Sequence, residues 1–282
     1  MRTGKICLLY FTASVLLLAC YTPRYVYSPS ATNVPAFTKK GESKLSAALS
    51  SNISGNNTGN NSSTGYDLQA AYAISNHLAV QVDFYHRKEK NGGQFRSDDS
   101  SDIRYLRYMT GAGIGYYFVL DKNRQAVFQV FAGVAFGKFT FTDNGRHSNL
   151  YYNNFHEAQV MKIYVQPAFI LHSKGSFIAS LSSRFSLVSF NHIKTDYSAF
   201  DLNNYKLDQL GSSSYLFWEP AMLYTFGNRH VPGVQLEFQF GLSLLQTRNF
   251  IDYRAFTSSA ALVMDIPKIL RHKKTVARSE RQ

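Results

Sequence analysis

Apolar and polar residues alternate along ten segments of this chain, and this alternation limits the fold more than any other feature of the sequence. A period of two is typical of a β-strand that has one apolar and one polar face. In the clearest segment, Leu236, Phe238 and Phe240 share one face, whereas Glu237 and Gln239 share the other. The pattern predicts an all-β fold. The ten segments are 43–52, 65–75, 78–84, 103–119, 126–141, 157–172, 177–187, 214–226, 234–246 and 254–265.

The connections between these segments alternate in length, which predicts how the strands are arranged. Long polar connections occupy 52–64, 87–102, 142–156 and 191–213, and short ones occupy 75–76, 120–125, 173–176 and 227–233. Outer-membrane barrels have short periplasmic turns and longer extracellular loops. We therefore predict an antiparallel up-and-down transmembrane β-barrel of about ten strands (roughly 8 to 12) over residues 43–266. With an even number of strands, both ends of the chain are expected on the periplasmic side.

The first twenty residues of the chain predict an export signal. Arg2 and Lys5 precede the apolar run 6–18, which is shorter than the roughly 20 residues of a membrane-spanning helix. A charged start, a short apolar run and a small residue before the cleavage site predict a secretory signal peptide. The sequence Leu17-Leu18-Ala19-Cys20 resembles a bacterial lipoprotein signal, and this resemblance implies a lipid on Cys20. The alternative is an ordinary cleavage site beside a chance cysteine.

The segment that follows the signal is predicted to be extended. Pro23, Pro29 and Pro35 are spaced so that neither a helix nor a central strand persists, because proline lacks the backbone N–H that both need. We therefore expect an extended periplasmic tether over residues 20–42, held at Cys20 by a lipid in the inner leaflet of the outer membrane.

Positive charge is concentrated at the C-terminus of a chain whose formal net charge is +12. Such a tail is either solvated or in contact with an anionic periplasmic or cell-wall polymer. Nucleic acid is not expected as a partner of an exported chain, and the sequence does not indicate an oligomeric state. The predicted organisation is a signal peptide over 1–19, a tether over 20–42, a barrel over 43–266 and a basic tail over 267–282.

The polar faces of the strands define the predicted lumen of the barrel. Buried charges are tolerated only when they are paired and hydrogen-bonded, so the basic side chains are expected to lie against acidic ones across the interior. A filled lumen is expected because about eight strands leave room for little beyond side chains. The predicted network of charged residues in the lumen consists of Asp83, Arg107, Lys162, Arg184, Glu219, Glu237 and Asp265.

Glycines mark a shallow part of the predicted inner wall. Gly111, Gly113 and Gly115 fall on the lumen face of one strand, and Gly133 and Gly137 on the lumen face of the next. Glycine within strands marks bends or a close approach by other groups. Long side chains are therefore expected to pack against this wall.

A catalytic site is not indicated by the motifs in the sequence. His147-Ser148-Asn149 resembles, imperfectly, the His-x-Ser-Asn element of outer-membrane lipid hydrolases. In that element the histidine and serine are two residues apart and share one face of a strand, whereas here they are adjacent and point apart. We predict no enzymatic activity, no cofactor and no metal site, with a lipid-modifying enzyme as an alternative.

The whole pattern resembles that of small outer-membrane β-barrel proteins of Gram-negative bacteria. Together with the implied lipid on Cys20 and the expected filled lumen, it predicts an outer-membrane lipoprotein with a structural or surface-binding role, in contact with outer-membrane lipids. A narrow pore for small solutes is a second interpretation. A soluble lipocalin-like carrier is another, since it shares the barrel but places the apolar faces inside.

Overall fold

Most of the chain forms a single antiparallel sheet that closes on itself. The computed structural model describes residues 22–53, 61–96, 99–147, 150–173, 176–228 and 231–271. No helix in these ranges is long and apolar enough to cross a membrane. The strands are β1 Ser43–Ile53, β2 Ser62–Ala73, β3 Leu78–Arg96, β4 Asp99–Val119, β5 Ala126–His147, β6 Leu150–His172, β7 Phe177–Thr195, β8 Ser214–Asn228, β9 Val231–Leu242, β10 Leu244–Leu245 and β11 Phe256–Met264, and one short helix, α1 Ala199–Asn204, lies between β7 and β8.

Ten strands go round the barrel, and the first closes it by pairing with the last. β1 pairs with β2 on one side and with β11 on the other, from Leu45 opposite Met264 to Ile53 opposite Phe256. The two residues of β10 continue β9 beyond Ser243 and pair with β8, so β9 and β10 together count as one strand of the barrel. The prediction of an antiparallel up-and-down barrel of about ten strands is confirmed.

The outer face of the barrel is apolar, and the inner face carries the polar residues of the strands together with clusters of buried apolar side chains. Leu236, Phe238 and Phe240 are 53%, 41% and 50% exposed, whereas Glu237 and Gln239 are 6% and 3% exposed. Alternation in this sense is that of an outer-membrane-type barrel, whose outer surface meets lipid. The soluble lipocalin-like alternative is wrong, because it requires the apolar faces to point inward.

Two of the predicted loops are extensions of the strands. The stretches 87–102 and 142–156 lie mostly within β3, β4, β5 and β6. Arg87 and Glu89 point into the barrel and are buried, while Lys88 between them is exposed, so the alternation continues. Both faces are polar in this stretch, and a hydrophobic period therefore does not reveal the strand. We call this end of the barrel the loop end, and the end with the short connections 74–77, 120–125 and 173–176 the turn end.

The predicted glycine wall carries an aromatic ring. Gln81, Gly113, Gly133 and Tyr164 stand opposite one another on the neighbouring strands β3, β4, β5 and β6. The Tyr164 ring lies over both glycines, and its hydroxyl accepts a hydrogen bond of 2.9 Å from Gln81 Nε2. Tyr164 comes from β6, the strand next to Gly133. Its ring fits over the two glycines because each has only a hydrogen atom where another residue would have a side chain.

The substitution Gly133→Ala is expected to lower the free energy of unfolding by about 1–3 kcal/mol through overpacking. A Cβ at this position would lie 2.5 Å from the Ala112 carbonyl oxygen and 2.6 Å from the Tyr164 hydroxyl. Gly241→Ala is the matched control in another inward-facing strand position, since the nearest heavy atom there is 3.4 Å away. Urea unfolding of both variants in lipid vesicles measures the difference, and equal stabilities would contradict the packing described.

Candidate functional site in the barrel lumen

The lumen of the barrel is filled by the chain's own N-terminal segment. Residues 22–35 are all buried, and Phe37 is buried as well. We call residues 22–37 the plug segment. The prediction of a periplasmic tether over 20–42 is therefore wrong for these residues, because their backbone groups find hydrogen-bonding partners inside the barrel. Cys20 and the predicted signal peptide lie outside the described residues.

Prolines suit the plug segment to an extended path through a polar lumen. Pro23, Pro29 and Pro35 fix φ near its extended value and prevent the helix that would not fit between the walls. They also remove three backbone N–H groups that would otherwise need acceptors in a buried environment. The sequence pattern that predicted a tether thus also favours a threaded segment.

The start of the plug segment is held at the loop end. The Pro23 carbonyl accepts hydrogen bonds from Asn91 Nδ2 at 2.9 Å and from the Tyr105 hydroxyl at 3.3 Å. The Arg24 guanidinium forms a buried ion pair with the Asp143 carboxylate. Tyr197, from the connection after β7, also donates to Asp143 at 2.7 Å. Burial and the nearby carboxylate raise the pKa of this phenol well above its usual range, so it stays a donor.

Arg107 holds the next part of the plug segment by its backbone. Its guanidinium donates to the Val26 carbonyl at 2.7 Å and to the Tyr25 carbonyl. The same side chain donates from Nε to Glu89 at 2.9 Å, and both side chains are buried. Because a guanidinium offers five donors in a fixed plane, one residue can pair a carboxylate and bind two carbonyls at once.

Arg184 and Glu219 hold the middle of the plug segment as a pair. The Arg184 Nε donates to Glu219 at 2.7 Å, and its terminal nitrogen donates to the Ser30 carbonyl at 3.0 Å. Glu219 also accepts a hydrogen bond of 2.8 Å from the Tyr27 hydroxyl. One end of this ion pair therefore contacts the backbone of the plug segment and the other contacts a side chain.

Wall side chains bind further backbone groups of the plug segment in the same way from Ala31 to Val34, towards the turn end. Wall side chains accept from its amides and donate to its carbonyls, so the wall recognises an extended backbone. The contacts are Asp67 Oδ1 with the Ala31 amide at 3.1 Å, Gln69 with the Ala31 carbonyl at 3.1 Å, Gln239 Oε1 with the Thr32 amide at 3.0 Å, Gln166 with the Asn33 carbonyl at 2.7 Å, and Lys44 with the Val34 carbonyl at 3.1 Å.

The structure brings together only part of the predicted charge network. Arg184 and Glu219 form an ion pair, but they are opposite residues of the neighbouring strands β7 and β8 rather than partners across the interior. Arg107 lies in the lumen but pairs with Glu89, and Glu237 pairs with Lys44 at 2.9 Å.

The other predicted members of the network have different surroundings. Lys162 is buried and its ammonium lies 3.4 Å from the Ser30 hydroxyl of the plug segment. The half-buried Asp83 carboxylate lies beside Gly111. Asp265 is not a lumen residue, because it follows β11 at the turn end and accepts from the Lys268 amide at 3.3 Å. The plug segment separates opposite walls, so the partners expected across the interior meet it instead.

Sequence reasoning missed several charged residues of the site. Arg87, Glu89 and Asp143 fell in stretches taken as loops, although they are buried in extended strands. Arg87 pairs with Asp67 at 3.0 Å, and Arg254 lies 3.4 Å from Glu89. The only sequence signal that would have found them is the continuation of the strand period through a polar stretch.

The remaining predicted sites fall partly outside what the structure describes. The side chains of His147, Ser148 and Asn149 are not described, so the hydrolase alternative stays a prediction. Within the described ranges, no group of three or more His, Cys, Asp or Glu residues is arranged to hold a metal ion. The basic tail is described only to residue 271.

Comparison with known proteins gives similarity to solved barrels only. No family model matches the chain, and no curated protein matches it. The translocator domain of the autotransporter NalP from Neisseria meningitidis is 7% identical with a TM-score of 0.47, over 80% of this chain and 88% of that one. The transport unit of the autotransporter AIDA-I from Escherichia coli is 9% identical with a TM-score of 0.43, over 83% and 92%. An outer membrane channel from Pseudomonas putida F1 is 10% identical with a TM-score of 0.37, over 84% and 100%.

Proposed function

We propose that this protein is an outer-membrane barrel whose lumen is closed by its own plug segment, with a structural or surface-binding role. The observation that carries the proposal is the continuous burial of residues 22–35 inside the barrel. Wall side chains bind the backbone of this segment from Pro23 to Val34, and no solute passes while it is in place. The outer face is apolar, so outer-membrane lipids are the partner of the barrel surface.

A narrow pore is the second candidate function. A polar cavity of about 300 Å³ opens at the turn end beside residues 34–38, and Glu42, Arg124, His172 and Glu237 contribute to its lining. The plug segment is bound by hydrogen bonds and ion pairs, which are reversible. A partner that displaced the segment would therefore extend this cavity through the lumen.

A disulfide between the plug segment and the barrel tests the proposal. Tyr27 and Tyr253 are paired in a parallel β-bridge, and both rings pack on Phe217. Paired strands place the two Cα atoms about 5 Å apart, within the range of a disulfide. In a Cys20→Ser background, Tyr27→Cys with Tyr253→Cys is expected to crosslink almost completely in isolated membranes. Gel mobility of the unfolded protein with and without reductant measures the bond.

The control pair combines a cysteine at the same plug position with a cysteine at the opposite end of the barrel. Lys122 lies in the short turn between β4 and β5, so Tyr27→Cys with Lys122→Cys is expected to leave both thiols free. A failure of the first pair to crosslink, or equal crosslinking of the two pairs, would show that the plug segment does not occupy the lumen in the membrane.

A further inference from the structure

The plug segment runs through the barrel in one direction, from the loop end to the turn end. On β4 alone, Pro23 is bound by Tyr105, Val26 by Arg107, and Phe37 packs on Tyr117 with ring centroids 6.0 Å apart. These wall positions follow the strand from near its start at the loop end to near its finish at the turn end. The chain therefore enters the described structure at the loop end.

The turn end receives the other end of the plug segment and also the end of the barrel. The Lys40 amide donates to Asn76 Oδ1 at 3.0 Å in the short connection between β2 and β3. Residues 266–271 form a helical turn after β11 at this same end. β1 begins and β11 ends at the turn end, as an even number of strands requires, but Pro23 lies at the loop end. The two ends of the described chain are thus on opposite sides of the barrel, which contradicts the expectation that both lie on one side.

The number of residues between Cys20 and the plug segment limits how far Cys20 can lie from the loop end. When fully extended, the chain from Thr22 to Pro35 spans up to about 45 Å. This length exceeds the thickness of a bilayer's hydrocarbon core, which is roughly 30 Å. Cys20 is two residues before Thr22, so its Cα lies within about 7 Å of that of Thr22. With the plug segment in place, Cys20 cannot reach the periplasmic leaflet.

From this geometry we infer that the N-terminal end of the mature chain is presented at the extracellular surface, and that a lipid on Cys20 inserts in the outer leaflet. The inference rests on the proposed threading of the lumen. In this arrangement the N-terminal segment passes through its own barrel, and the wall binds it by its backbone. The acylated end then lies on the side of the long loops. Threading and anchoring in the inner leaflet exclude each other in the same molecule.

An epitope inserted between Tyr21 and Thr22 tests this direction in intact Gram-negative cells. The same epitope between Gly211 and Ser212, in the exposed connection before β8, is the control for the loop end. The same epitope between Lys122 and Asn123 is the control for the turn end. Each chain also carries the cysteine pair at positions 27 and 253 and native Cys20, and the cells are grown with an alkyne-labelled palmitate. Antibody binding is compared before and after permeabilisation.

The expected result is that crosslinked chains carry the palmitate label and bind antibody at the N-terminal epitope on intact cells as strongly as the loop-end control. Crosslinked chains that bind antibody only after permeabilisation would overturn the inference while leaving the plugged barrel intact. Palmitate label found only in chains without the crosslink, or in none, would overturn the lipid's placement. Chains that do not crosslink at all would overturn the proposed function together with the inference.

Discussion

Deleting the plug segment, residues 22–37, is expected to convert a barrel that carries no ionic current into an open channel. The segment fills the lumen along its length, and the wall it leaves behind carries many buried polar and charged side chains beside its apolar ones, so water is expected to enter the space. Among the described residues, the wall carries six buried Asp and Glu side chains and six buried Lys and Arg side chains, so the channel is expected to select weakly between cations and anions. These wall residues are Asp67, Glu89, Asp143, Glu219, Glu237 and Asp252 against Lys44, Arg87, Arg107, Lys162, Arg184 and Arg254.

Planar-bilayer recording measures this change, and the missing peptide supplies the control. A synthetic peptide of residues 22–37 is expected to block the current of the deletion variant, because the wall binds the extended backbone at many points. A peptide with the same residues in reversed order is expected to block more weakly, since the donors on the wall then meet the wrong backbone groups. A native barrel that conducts as well as the deletion variant would refute the plug.

The sequence was sufficient for the barrel but not for the path of its N-terminal segment. Ten segments of the chain have one apolar face, as in 234–246, and their period of two shows directly which side chains meet lipid. The plug segment has no such face, so a polar, proline-rich stretch has the same pattern in water as in a polar lumen. Its location depends on partners that are remote in sequence, such as Arg24 and Asp143, which are separated by 119 residues.

Breaking the buried pair of Arg184 and Glu219 is expected to give the largest loss of stability of any single substitution in the lumen. Arg184→Ala leaves the Glu219 carboxylate buried without its cation, which typically costs about 3–5 kcal/mol in the free energy of unfolding. Tyr27 and Ser186 still donate to Glu219, at 2.8 Å and 2.7 Å, so the lower end of that range is expected. The double variant Arg184→Met with Glu219→Leu is expected to recover most of the loss, because neither charge of the pair is then left buried without the other.

A second ion pair in the barrel separates the effect of burial from that of distance. Lys138 and Glu157 are also 2.7 Å apart, but their side chains are 33% and 18% exposed, against 5% and 3% for Arg184 and Glu219. Water screens the more exposed pair, and Lys138→Ala is therefore expected to cost at most about 1 kcal/mol. Double-mutant cycles on both pairs, from urea unfolding in lipid vesicles, give the two coupling energies. Equal coupling energies would mean that the lumen is hydrated around Arg184 and that the plug segment does not keep water out.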